Sequence, residues 1–161
     1  MQRFVLILSF GFFCFMTQPV FAETIYKMYY NKRFEYSISY PKDILYPQGE
    51  ADNGDGQKFL SKEGDGILLV YGSHNINDQT IKERYQEESQ GKTEESQTKV
   101  VSYRVLKDNW FVISGYVSGK IFYQKKILNN DQFKTFYFEY PETKKKRYDP
   151  IIKHLSTSFK G

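Results

Sequence analysis

Four strand-like segments follow one another with almost nothing between them, and that run limits the fold more than any other feature of the chain. They cover residues 100–106, 110–117, 120–128 and 133–140. The breaks are Lys107-Asp108-Asn109, Ser118-Gly119 and Asn129-Asn130-Asp131, all of hairpin type, so the sheet is expected to be antiparallel here. The last segment is apolar on both faces, with Phe133 and Tyr137 on one and Phe136, Phe138 and Tyr140 on the other. A strand of that kind is covered on both sides. Either helices lie on each face or one face awaits a partner, and a layered fold favours the helices.

The segments upstream are shorter. Residues 33–41 alternate, with Phe34, Tyr36, Ile38 and Tyr40 on one face and polar residues on the other, which predicts a half-buried strand stopped by Pro41. A polar, Gly-rich stretch follows at 48–56, then a short strand at 57–61. Glu63-Gly64-Asp65-Gly66 is a turn, and the apolar run 67–71 predicts a central strand. Residues 77–90 change to charged helix formers, with Ile81, Tyr85 and Glu88 at helical spacing and Asp78 or Asn77 as the N-cap. The apolar stripe is thin, so this helix is expected on the surface, followed by a polar loop at 91–97. The chain closes on a second helix. Asp149 reads as its N-cap, Pro150 as its first residue, and Ile151, Leu155 and Phe159 as the stripe that docks on the sheet. The expectation is one α+β domain with a mostly antiparallel sheet of about six to seven strands, flanked by helices as an α/β/α sandwich.

The amino terminus reads as an export signal. Arg3 is followed by an apolar run at 4–16, a polar stretch Thr17-Gln18-Pro19, and Val20-Phe21-Ala22 as the cleavage region. The run is shorter than the roughly 20 residues that span a bilayer. Residues 1–22 are therefore expected to be a cleaved signal peptide, and 23–161 a single domain with no transmembrane segment, exported to the periplasm or secreted. The only cysteine, Cys14, lies in the signal behind Gly11-Phe12-Phe13, where a lipid-attachment site wants small residues. Its loss leaves no disulfide, thiolate metal site or cysteine nucleophile. The whole chain carries a net charge of +4, with Arg3 inside the signal, so the domain is only mildly basic and gives no argument for nucleic acid. All fourteen tyrosines lie beyond the signal. Tyr suits half-buried strands and surfaces that touch partners.

Phe34-Glu-Tyr-Ser-Ile-Ser-Tyr-Pro41, the meander, and the closing His154-Leu-Ser-Thr-Ser-Phe-Lys160 together resemble the PsbP/Mog1-like α/β/α sandwich group, which includes many small exported bacterial proteins of unknown role. The resemblance implies a binding or accessory role without catalysis. It supplies no catalytic residue to carry over. The stretch at 48–57 is not part of the group's general pattern.

The remaining motifs are few. His74 ends the apolar strand and His154 lies on the last helix; a Ser/His/Asp triad needs one of them as base. Ser73 adjoins His74, but no Gly-x-Ser-x-Gly elbow is present. Asp52-Asn53-Gly54-Asp55-Gly56 resembles a calcium loop, yet Gly54 stands at the third position, where a ligand is required. A looser cation site through Glu50, Asp52, Asn53 and Asp55 competes with plain turn chemistry. Gly115-Tyr-Val-Ser-Gly-Lys120 fails as a phosphate loop, with Ile121 where Ser or Thr is needed, and reads as a hairpin turn. Lys144, Lys145, Lys146 and Arg147 form a basic run that meets anionic headgroups or an acidic partner, or is simply a solvated linker. Positive charge at a helix start is mildly unfavourable, which hints at a use.

The expected function is a non-catalytic binding or accessory protein of the bacterial cell envelope, with no cofactor and an envelope protein as partner, touched through Lys144, Lys145, Lys146 and Arg147. The alternatives are a small periplasmic hydrolase and a cation- or ligand-binding module using the 48–57 loop.

Overall fold

The computed structural model describes residues 24–90 and 99–161. The expected signal at 1–22 and the polar loop at 91–97 lie outside the described residues. The chain opens with β1 (Tyr26–Asn31) and β2 (Tyr36–Pro41). It continues through β3 (Leu45–Glu50), β4 (Gly56–Ser61), β5 (Ile67–His74) and α1 (Ile81–Glu88). The meander is β6 (Lys99–Leu106), β7 (Trp110–Val117), β8 (Lys120–Asn129) and β9 (Gln132–Pro141). A single 3-10 turn (Glu142–Lys144) then leads into α2 (Lys145–Ser158). β1 and β2 form a separate ribbon. The other seven strands make one sheet in the order β3-β4-β5-β9-β8-β7-β6, with every pair antiparallel.

The expected meander is present, and its turns show why it forms. Ser118 (φ 47°) and Gly119 (φ 76°) join β7 to β8; Asn130 (φ 52°) and Asp131 (φ 57°) join β8 to β9. Two consecutive left-handed residues make the turn whose twist matches that of the strands it joins.

β9 lies inside the sheet and is covered on both faces, as its composition predicts. Phe136, Phe138 and Tyr140 join a core with α2 and the ribbon, formed by Phe34, Tyr36, Ile38, Tyr148, Ile151 and Leu155 among others. Phe133 and Tyr137 pack instead in a second core with Ile81 and Tyr85 of α1 and Phe111, Ile113 and Phe122 of the sheet. The ribbon is the lid of the first core. Phe34 lies directly on Gly72 of β5, where any Cβ would collide with that side chain. Ser37 and Lys160 exchange backbone hydrogen bonds of 2.9 and 3.0 Å, tying β2 to the residues after α2.

Four expectations change. Two strands are absent from the sequence reading: β1, which is largely exposed and carries no clean alternation, and β3, which contains Pro47 and Gly49. The N-cap of α1 is Thr80, in place of Asp78 or Asn77. Its side chain accepts from the Glu83 backbone, while the Glu83 carboxylate accepts from the Thr80 N–H, a reciprocal pair that settles the start. Asp78 instead sits at φ 49° in the turn before it. Finally, α2 begins at Lys145, so Pro150 lies inside the helix and Asp149 is not its cap. Pro150 leaves the Lys146 carbonyl without its helical donor. Burial of Tyr148 ahead of it holds the first turn in place, because the ring rests on Gly66 and the hydroxyl donates to Asp65 at 2.6 Å. Asp149 accepts a 2.8 Å hydrogen bond from Tyr140.

Candidate functional site

α2 runs over β9 and the ribbon and leaves the β6–β7 end of the same sheet face open. Cross-strand pairing places Tyr103 beside Ser114, and Ser114 beside Tyr123; Tyr116 lies beside Ile121, and Ile121 beside Tyr140. The small Ser114 side chain makes a floor between aromatic walls, and its Oγ is turned down to the Phe122 carbonyl at 2.7 Å. The result is a trough of about 340 Å³ between α2 and the outer edge of β6. Lys145, Asp149 and Ile152 of α2 form its inner wall. A register shift between Val101 and Tyr103 inserts Ser102 as an extra residue in β6, and both Ser102 and Tyr103 line the trough.

The inner wall is fixed by polar contacts. Tyr123 Oη and Ser156 Oγ lie 3.0 Å apart, and Lys125 donates to the Ser156 carbonyl at 2.7 Å. Burial pushes the Tyr123 phenol up, partly opposed by the Ser156 bond. Burial also pushes Tyr140 up, and its bond to the Asp149 carboxylate adds to this. The outer rim is open: Val100 is 52% exposed, Tyr103 53% and Tyr116 37%. Three exposed apolar or aromatic side chains side by side form a patch of the kind that touches partners.

The basic run divides in two. Arg147 pairs with Glu63 at 3.1 Å and lies over the Tyr148 ring. Burial pushes the Asp65 carboxyl up. The hydrogen bonds from Tyr148 and Ser61, with the charges of Lys144 and Arg147, overcome that and hold it below the usual carboxylate range. Lys144 and Arg147 therefore serve the start of α2. Lys145 and Lys146 form no ion pair among the described residues, and Lys145 lines the trough.

The two histidines stand apart in surroundings that are not those of a triad. His74 is exposed, 5.1 Å from the Phe34 ring, and strand alternation turns Ser73 to the opposite face. His154 stacks on Tyr26 at 3.5 Å, with Nε2 3.1 Å from Ser39 Oγ. Among the described residues neither is hydrogen-bonded to a carboxylate. In the 48–57 loop the polar groups hold one another and the ribbon. Glu50 accepts from Tyr29 at 2.9 Å, Asp55 accepts from Asn53 at 2.8 Å, Arg33 donates to the Asn53 carbonyl, and Asn31 donates to Gly54 at 3.0 Å. Among the described residues no three of His, Cys, Asp or Glu are grouped to hold a metal ion, so Glu50, Asp52 and Asp55 do not converge. The loop does rim a cavity of about 400 Å³ above Leu69 and Tyr71.

A sheet of this order with a ribbon and a long closing helix on one face and a short helix on the other is a PsbP-like α+β fold. The solution structure of cyanobacterial PsbP (CyanoP) from Synechocystis sp. PCC 6803 is similar, with a TM-score of 0.64 at 13% identity, over 86% of this chain and 94% of that one. No family model matches the chain, and no curated protein matches it in sequence. Among the described residues no helix is long and apolar enough to cross a membrane.

Sequence reasoning does not reach the trough itself. Tyr103, Tyr116 and Tyr123 lie on three different strands, and the extra residue in β6 breaks the alternation that places Tyr103 on the same face as the others. The available signal is the tyrosine content of the meander.

Proposed function

We propose that the protein is a non-catalytic binding or accessory protein of the bacterial cell envelope, which engages a protein partner through the tyrosine trough and the adjoining Lys145 and Lys146. The observation that carries this reading is the rim of exposed Val100, Tyr103 and Tyr116 beside Lys145, which forms no ion pair among the described residues. Interface centres are rich in tyrosine, which supplies contact area at little cost in side-chain entropy. The signal-like residues 1–22 support export, and the resemblance to the PsbP/Mog1-like group implies the same kind of role. The surroundings of the two histidines favour this reading over hydrolysis.

The test is capture from an envelope extract on the immobilised protein, beside two variants. One is Tyr103→Ala with Tyr116→Ala; the other is Lys145→Ala with Lys146→Ala. Lys144 and Arg147 are left in place because Arg147 pairs with Glu63 and both charges act on Asp65 at the start of α2. A protein enriched on the parent and lost from the tyrosine variant, whose unfolding midpoint matches the parent's, supports the proposal. A protein retained equally by all three moves the interface elsewhere, and no retained protein sinks the binding reading.

A further inference from the structure

The two edges of the sheet differ. β3 has Pro47 in its middle, which donates no hydrogen bond, a register shift between Pro47 and Glu50, and Gly49 at φ 97°. That edge is blunted against pairing. β6 also has a register shift, at Ser102, but it is eight residues long, contains no proline or glycine, and has no strand on its outer side among the described residues. Val100, Tyr103 and Leu106 are exposed along it. An edge of this length and composition is a template for another strand.

The trough lies directly inside that edge. Successive side chains of an added strand point to opposite faces, about 4.8 Å outside β6. Every second one would therefore fall beside Val100, Tyr103 and the trough. This is the arrangement in which main-chain hydrogen bonds give affinity and pockets for alternate side chains give specificity.

Charge selects the occupant. Lys99 and Arg104 lie on the strand, paired with Val117 and Ile113 on the face away from the trough, and Lys107 follows it ahead of Asp108; none of the three cations is in an ion pair among the described residues. Lys99 is held over the Phe122 ring at 4.7 Å, and Arg104 donates to the Ser89 carbonyl at 3.4 Å. Lys145 adds a fourth cation at the inner wall. A second copy pairing antiparallel with Val101 opposite Ser102 would set Lys99 against Arg104, and like charges directly opposite are destabilising. An acidic strand meets complementary charge instead.

We propose that the outer edge of β6 takes an extended acidic segment of a partner protein as an eighth strand, with alternate side chains of that segment seated in the trough. The inference rests on the binding reading above and adds the partner's conformation and charge.

The test uses the purified protein and a fluorescein-labelled acetyl-(Glu-Val)4-amide, followed by fluorescence anisotropy. Its (Lys-Val)4 counterpart and a copy N-methylated at alternate residues along one backbone edge serve as comparisons. The acidic peptide is expected to bind at least about tenfold more tightly than the basic one, and N-methylation to weaken it by about as much. Lys99→Glu with Arg104→Glu should weaken it likewise, and the amides of β6 should gain protection from hydrogen exchange in the complex. Equal binding of the N-methylated peptide would overturn strand addition, since only side chains would then be read. A dimer that forms with rising protein concentration and is lost on Tyr103→Ala would give the edge to a second copy and overturn the proposal. If envelope capture succeeds while neither peptide binds, strand addition fails and the binding reading stands; if both fail, both fall.

Discussion

Glu88 shows how much one side chain holds in this molecule. It ends α1 and reaches the sheet, where its carboxylate meets Lys126, Gln124 and, at 2.9 Å, the Arg84 Nε. Lys126 has a side chain only 5% exposed, and burial pulls its ammonium pKa down while the Glu88 charge opposes the shift. Removing one partner of a buried pair leaves the other charge uncompensated. Glu88→Gln is expected to cost about 3 kcal/mol in urea unfolding. The neighbouring Glu87, 58% exposed and paired with Arg84 at 3.0 Å, provides the contrast: Glu87→Gln should change stability by less than about 1 kcal/mol. Equal effects would mean that α1 is not anchored through Glu88. Helical spacing in the sequence marks Glu88 as facing the sheet, but its partners there, Gln124 and Lys126 of β8, are more than thirty residues away, and no local pattern joins them.

At the scale of elements, the meander was legible because its signals are local: alternation, two-residue turns, and a strand apolar on both faces. The missed elements depend on distant neighbours. β1 is a strand because β2 pairs with it, and β3 tolerates Pro47 because it lies at the edge of the sheet. α2 extends past Asp149-Pro150, which reads locally as a helix start, because Tyr148 has a seat on Gly66 and Asp65. The tight turns carry a prediction of their own. Asp131 occupies a left-handed conformation that glycine adopts without strain, and Asn-Gly is the favoured pair in this turn. Asp131→Gly should raise stability by about 0.5–1 kcal/mol. Gly119→Ala should lower it by about 1 kcal/mol. The added methyl there meets no atom within 4 Å, so the loss is one of backbone conformation. Thermal unfolding of both variants checks the pair, and a loss of stability in Asp131→Gly would count against the turn assignment.

Across the whole molecule, tyrosine supplies much of the interior of the first core, and Tyr85 and Tyr137 pack against the second, so alkaline pH tests the fold. Burial raises the phenols of Tyr36, Tyr71, Tyr137 and Tyr140. Unfolded tyrosines lose their protons near pH 10 while these keep theirs, so above about pH 10 the native state binds more protons and stability falls as pH rises. The half-buried Lys99 and the buried Lys126, with values lowered by desolvation, act in the opposite sense. They add stability as pH approaches the ordinary lysine value near 10.4 and nothing beyond it. Cooperative unfolding is expected above about pH 10.5, with tyrosinate absorbance and far-UV circular dichroism changing together. A gradual tyrosinate rise with retained dichroism would show that these rings are open to solvent.

The backbone bridge between Ser37 and Lys160 has a consequence for the order of events as the chain is made. The lid of the first core comes from residues 34–41, and part of what it closes on, Tyr148 to Phe159, follows every strand of the sheet along the chain. A chain emerging amino end first, from a ribosome or through a translocation channel, carries that side of the lid open until α2 is free. Closure of this face is therefore a late event with long sequence separation and the slow loop closure that goes with it. Until then the molecule presents an aromatic hairpin that a chaperone can hold.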